Sequence, residues 1–234
     1  MSNIKKIINE EIMNTVANYP QFGQRLRSID EIENMKNLLL KENYTSINLF
    51  EKINILTEEQ MVNISTGLDW TVENIPNAVL IGGTAVVHYI NGARDLTPDL
   101  DFMVDDINIV KTKLSEENIR YDDLNPGVST PLGITVDIFN SDYLDIEIGN
   151  INLNKLVMQT PIIASIGGRQ VHVINPELLV IMKMEVGRDK DFQDGIALLS
   201  SGKVDKNKYL QYLNVLKNSL HDYESLFNYK DFIQ

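Results

Sequence analysis

The stretch from Ala78 to Asp105, AVLIGGTAVVHYINGARDLTPDLDFMVD, constrains this chain more than any other. A short apolar run breaks at Gly82-Gly83, a segment with helical spacing follows, and the stretch closes on Asp99-Leu100-Asp101-Phe102. The order predicted is strand, glycine turn, helix, strand. Side chains alternate faces along a strand, so Asp99 and Asp101 share one side while Leu100 and Phe102 take the other. Neighbouring carboxylates repel unless a cation lies between them, and a hard dication takes carboxylate oxygens together with water and phosphate. Glycines at 82 and 83 let the backbone approach a ligand closely, and the helix opening at Thr84 directs unpaired N–H groups at whatever precedes it. An anion site beside a carboxylate pair is the equipment needed to handle a metal nucleotide.

A second constellation follows far downstream. Pro176 to Val186 reads as a helix with proline in its first turn, and from it run Lys183, Arg188, Lys190, Asp191 and Asp194. Taken alone, such a charge run is either a solvated helix junction with local ion pairs or a set of phosphate-facing cations.

These residues resemble the nucleotidyltransferases of the polymerase-beta-like superfamily, whose motif is Gly-Gly or Gly-Ser, a helix, then Asp-x-Asp. The likeness is closer to the AbiEii toxin-like branch, whose pattern Gly82-Gly83-Thr84-Ala85, Arg94, Thr97, Asp99, Leu100, Asp101 and Phe102 follow in order. Lys183, Arg188, Lys190, Asp191 and Asp194 fit most of that branch's later motif. Two departures stand out: Asp189-Lys190-Asp191 compresses the basic portion, and Gly195 replaces the usual leucine.

The resemblance implies an α+β fold, a small mixed nucleotidyltransferase-type sheet with flanking helices. It implies that Asp99, Asp101 and Asp137 bind magnesium, or manganese in its place, with Asp137 also able to take the proton of an attacking hydroxyl. Gly82, Gly83 and Thr84 would secure the phosphates of an NTP, and Lys183 and Lys190 would contact the nucleotide. Arg94 would either compensate leaving-group charge or brace the aspartate strand. Asp137 also stands out by itself, because it interrupts the strand-like run Gly133 to Phe139, where a buried carboxylate is costly without a partner. The other reading of Asp137 is an edge-strand residue facing water. Asp142, Asp145 and Glu147 compete with it but lack its apolar setting.

Size and charge narrow the partners. With 234 residues, 43% of them hydrophobic, the chain can bury a sizeable core. No apolar run approaches the roughly 18 residues of a membrane span, and no secretory signal is evident, so a cytoplasmic protein is expected. The absence of cysteine excludes disulfides and thiolate metal sites and leaves carboxylates as metal ligands. A net charge of −12 disfavours broad nonspecific DNA binding.

The organisation expected is an N-terminal helical region over 1–76, a core over 77–175 and a C-terminal helical region or bundle over 176–234. Ile4, Ile7, Ile8, Ile12 and Val16 share one helical face, Asp30 caps a segment through Leu39, and Thr57 opens a helix toward Trp70. Asp106 to Asn118 reads as a helix, Tyr121 to Pro131 as a loop, and 161–174 as a hairpin turning at Gly167-Gly168, with His172 structural. A last amphipathic helix carries Tyr209, Leu213 and Leu216, ahead of an aromatic tail from Tyr223 to Phe232.

The activity expected is transfer of a nucleoside monophosphate from an NTP to a hydroxyl acceptor. Resemblance to the AbiEii branch implies a toxin acting on tRNA or protein, with a neutralising antitoxin as partner. Rival readings are modification of a small molecule, as by aminoglycoside or lincosamide nucleotidyltransferases, a glycosyltransferase using Asp-x-Asp, or a non-catalytic nucleotide-binding module.

Overall fold

A computed structural model describes residues 58–90, 99–124, 127–142, 151–166, 168–221 and 226. Helix α1 (Glu58–Asn74) leads into β1 (Val79–Ile81), α2 (Gly82–Tyr89), β2 (Asp99–Val104) and α3 (Ile107–Glu116). Strands β3 (Asp122–Leu124), β4 (Gly127–Pro131) and β5 (Thr135–Asn140) follow, then α4 (Ile151–Gln159) and the hairpin β6 (Ile162–Ile166) and β7 (Arg169–Val173). Helices α5 (Pro176–Val186), α6 (Asp189–Ser200) and α7 (Lys206–Leu216) come last. The strands make one mixed sheet in the order β3-β4-β5-β2-β1-β7-β6. Strand β2 is parallel to β5 and β1 to β7, while the remaining neighbours are antiparallel. The α+β class expected from the sequence is the class the chain adopts.

Strand alternation sets the two faces of this sheet. Leu100, Phe102, Val136 and Ile138 are fully buried, whereas the intervening Asp99, Asp101 and Asp137 keep partial exposure. Helix α1 covers the apolar face: a methyl placed on Gly67 would lie 2.9 Å from Leu100 and 3.0 Å from Val136, so only glycine lets the helix come this close. Two side-chain ties fix α1 in place. Trp70 Nε1 donates to Glu117 at 2.7 Å, and Arg169 on β7 pairs with Asp69.

Helix α5 is buried along its whole length, the condition in which a helix is apolar on every side except where charges have partners. Asn175 caps it by accepting from the Leu178 N–H at 2.9 Å, Pro176 fills the first turn, and Gly187 ends it in the left-handed conformation. Its charges are matched one by one. Glu177 accepts from the Asp205 N–H at 2.8 Å, and Glu185 accepts from the His221 N–H at 3.1 Å.

Several local expectations hold: α1, α3, β5, the β6–β7 hairpin, α5 and α7. His172 is structural, its Nδ1 lying 3.0 Å from the Pro76 carbonyl. Two expectations need correction. Tyr121–Pro131 is not a loop but carries β3 and β4, which were illegible because β3 has three residues and its aspartates are exposed; cross-strand pairing to β5 makes the strand, not propensity. The glycines do not form a separate turn, since α2 begins at Gly82 itself. Helix α4, which buries Leu153 and Val157, was not anticipated. The expected N-terminal helices up to Leu39, Arg94, Asp145, Glu147 and the aromatic tail lie outside the described residues.

Gly127 is the tightest point of the β4–β5 pairing, because a Cβ there would sit 2.0 Å from the Ile138 carbonyl oxygen. Gly127→Ala is therefore expected to destabilise the fold by about 1–3 kcal/mol through overpacking. Gly168→Ala, at a turn with φ +83° and open space around the position, is expected to cost only about 1 kcal/mol. Urea unfolding of the two variants checks the order.

Candidate active site

The carboxylate strand is placed by pairing on both sides. On one side Asp101 sits opposite Ile81 of antiparallel β1; on the other it sits beside Asp137 of parallel β5. Register neighbours share a face, so Asp99, Asp101 and Asp137 all project from the same side of the sheet. Asp137 is not an edge residue facing water, for β5 lies between β2 and β4.

The diglycine meets this cluster directly. Gly82 takes φ +66°, and a Cβ built on it would fall 1.9 Å from Asp101 Oδ2. Only glycine admits the carboxylate there, both for backbone conformation and for space. The Gly83 N–H, one of the donors at the start of α2 that lack a partner within the helix, acts to lower the Asp101 carboxyl. Thr84 is buried, and its hydroxyl donates to the Asp99 carbonyl at 3.1 Å, which fastens α2 to the start of β2. The glycine segment thus receives a carboxylate of its own chain.

The electrostatics of the cluster follow from crowding. Burial first, and then the charges of Asp99 and Asp137, push Asp101 up to about 6 against the opposing pull of Lys183 and the Gly83 N–H. Asp137 is likewise raised, by burial and then by Asp99, with a hydrogen bond from Ser129 opposing. Asp99 Oδ1 and Asp137 Oδ1 are buried with no hydrogen-bond partner. Among the described residues no three acidic or histidine groups close on one point as a ready-made cage. The donor set nevertheless fits a hard dication: all-oxygen, mutually repelling, with two buried oxygens whose bonding capacity is unused.

Behind the carboxylates lies the second constellation. Lys183 is 5% exposed, and its Nζ lies 2.7 Å from Asp191 and 3.0 Å from Asp194, both buried. Arg188 donates from the exposed side to the other oxygen of Asp191. Burial pulls Asp191 upward, but Arg188 and Lys183 together outweigh it and hold the carboxyl below the ordinary range. Lys183 therefore stands as an internal counter-charge whose field reaches Asp101, rather than as an open cation. Lys190 is exposed in the first turn of α6, and Gly195 lets α6 pack against Met184, where a Cβ would come within 2.5 Å.

Sequence reasoning missed Ser129. It lies beside Asp137 in the β4–β5 register, in a segment read as a loop, and no local pattern marks it.

No protein-family model matches the chain, and no curated protein matches its sequence. Solved structures do match it. One is an antigenic nucleotidyltransferase-like protein from Paracoccidioides brasiliensis, 15% identical, with a TM-score of 0.43 over 74% of this chain and 94% of that one. Another is the Megavirus polyadenylate synthase, 16% identical, with a TM-score of 0.44 over 82% of this chain. The chain spans 43% of that synthase.

The raised Asp101 makes a signed prediction. An acid with a folded value near 6 takes up a proton on folding between the unfolded value, about 3.9, and 6, so stability falls as pH rises through that window. Without divalent ions, Asp101→Asn is expected to be more stable than the parent at pH 7, by roughly 1–3 kcal/mol, and equal to it at pH 3.5. Urea denaturation in a chelating buffer at both pH values checks this; a variant less stable at pH 7 would contradict it.

Proposed function

We propose that the chain is a magnesium-dependent nucleotidyltransferase that moves a nucleoside monophosphate from an NTP to a hydroxyl acceptor, releasing pyrophosphate. The observation that carries this reading is the three aspartates on one sheet face, two of them holding buried oxygens without partners, beside the start of α2. Asp99, Asp101 and Asp137 would hold the metal, which when bound supplies charge neutralisation at the phosphates and lowers the pKa of the acceptor hydroxyl. Manganese would serve in its place.

The chain's own residues then have distinct tasks. The bond formed joins the acceptor oxygen to the α-phosphorus, and the bond broken is that from the α-phosphorus to the bridging oxygen of pyrophosphate. Asp137, whose proton affinity is raised by burial, is the group suited to take the acceptor's proton. Gly82, Gly83 and Thr84 shape the mouth of the site, and Lys183 supports it with positive potential from behind. Arg94 and Lys190 are candidates for contact with the polyphosphate.

A finer placement, as an AbiEii-like toxin acting on tRNA or a protein and restrained by an antitoxin, draws support from the second motif. Lys183, Arg188, Asp191 and Asp194 form one bonded network, as residues of a single functional unit would. The net charge of −12 gives weight to a protein or small-molecule acceptor as well, including an aminoglycoside or lincosamide. Among the described residues no helix is long and apolar enough to cross a membrane.

Incubation with magnesium, each α-labelled NTP and either total tRNA, a protein extract or an aminocyclitol panel tests the reaction and names the acceptor. Label transfer is expected, falling at least 100-fold in Asp99→Asn, Asp101→Asn and Asp137→Asn, on the order of the loss when a transition-state charge stabiliser is removed. No nucleotide binding at millimolar concentration, or full transfer by the three variants, would overturn the assignment.

A further inference from the structure

The third carboxylate has a supporting residue that no motif contains. Strands β2, β5, β4 and β3 place Asp101, Asp137, Ser129 and Asp122 side by side in register, as one polar row running from the middle of the sheet to its edge. Within this row Ser129 stands directly across from Asp137 on the same sheet face, and its hydroxyl opposes the rise of the Asp137 carboxyl. A serine hydroxyl has one proton to give, and its other register neighbour, Asp122, is an exposed residue facing Arg120 at 3.6 Å. Asp137 Oδ1 is buried with no hydrogen-bond partner, so its bonding capacity is left for a ligand.

Elsewhere β5 offers Asp137 little restraint. The strand fixes its Cα and Cβ, but the carboxyl turns about the terminal torsion, which is broad and roughly two-fold. Rotation would exchange the two oxygens or turn both away from Asp99 and Asp101. A donor at the neighbouring strand position removes that freedom, the part played by outer-shell partners of metal-ligating carboxylates generally.

From this arrangement we infer that Ser129 is a positioning residue for the metal site: its hydroxyl orients Asp137 so that the unused oxygen faces the Asp99–Asp101 pair. The inference rests on the nucleotidyltransferase reading only in taking that trio as the cation site.

Titration with Mn²⁺ alone, followed by the loss of its free-ion paramagnetic resonance signal, tests it with no acceptor or turnover required. Ser129→Ala is expected to weaken Mn²⁺ binding about tenfold, while Ser129→Thr, which keeps the hydroxyl on a strand-compatible side chain, holds within about twofold of the parent. In an Asp137→Asn background, Ser129→Ala is expected to add nothing, because the two changes act on one contact. Thermal unfolding without metal, unchanged in Ser129→Ala by more than about 2 °C, separates positioning from a general loss of fold. Unaltered affinity in Ser129→Ala, or an equal loss with and without Asp137, would overturn the role of Ser129 and leave the metal site standing. A parent protein that binds no Mn²⁺ would overturn both.

Discussion

Mutual repulsion among Asp99, Asp101 and Asp137 is the constraint around which this molecule is arranged. Burial first, and then the neighbouring carboxylates, raise the proton affinity of Asp137 and of Asp101, which reaches about 6. An arrangement this unfavourable by itself persists because the surrounding core over-determines it. Leu100, Phe102, Val136 and Ile138 are fully buried on the reverse face, and each such side chain contributes about 1.5–3 kcal/mol of burial. The acids stand where they do because these neighbours cannot be moved to the other face: a one-residue slip would turn the buried apolar side chains outward and bring Asp99 and Asp101 of β2, or Asp137 of β5, inward.

Two groups oppose the rise of Asp101, first the charge of Lys183 and then the Gly83 N–H at the start of α2. Lys183 is buried on α5 between Asp191 and Asp194. Removing Lys183 would take from Asp191 and Asp194 the buried cation they share, and breaking a buried pair in that way is costly. Arg188 brings the network to formal neutrality from the solvent side. Lys183 thus offers the site a fixed positive field and not a mobile hand, and this differs from a lysine reaching freely for phosphate. Such a field costs no reorganisation when charge develops at a reacting centre.

The parts legible in the sequence are those whose signal has a short period. Alternation across Asp99–Phe102 announced the shared face of the two acids, Gly167-Gly168 announced a hairpin, and Pro176 announced α5. What lay hidden depends on pairing between distant strands. No local pattern tells that β5 lies beside β2 with Asp137 level with Asp101, since that register is decided by the whole sheet. The same holds for β3 and β4, whose short polar strands read as a loop, and hence for Ser129. Glycine at 82 was read as room for a ligand, and the room is taken up by Asp101, a contact visible only once β1 and β2 are side by side. Thr84 similarly turns inward to the Asp99 carbonyl.

The most direct measurement is anomalous scattering from crystals of the full chain soaked in Mn²⁺. A strong peak is expected, bounded by the carboxylates of Asp99, Asp101 and Asp137, with oxygen distances of about 2.0–2.3 Å typical of a hard dication. A peak elsewhere, or a trio of aspartates that stays empty and protonated at neutral pH in millimolar Mn²⁺, would contradict it.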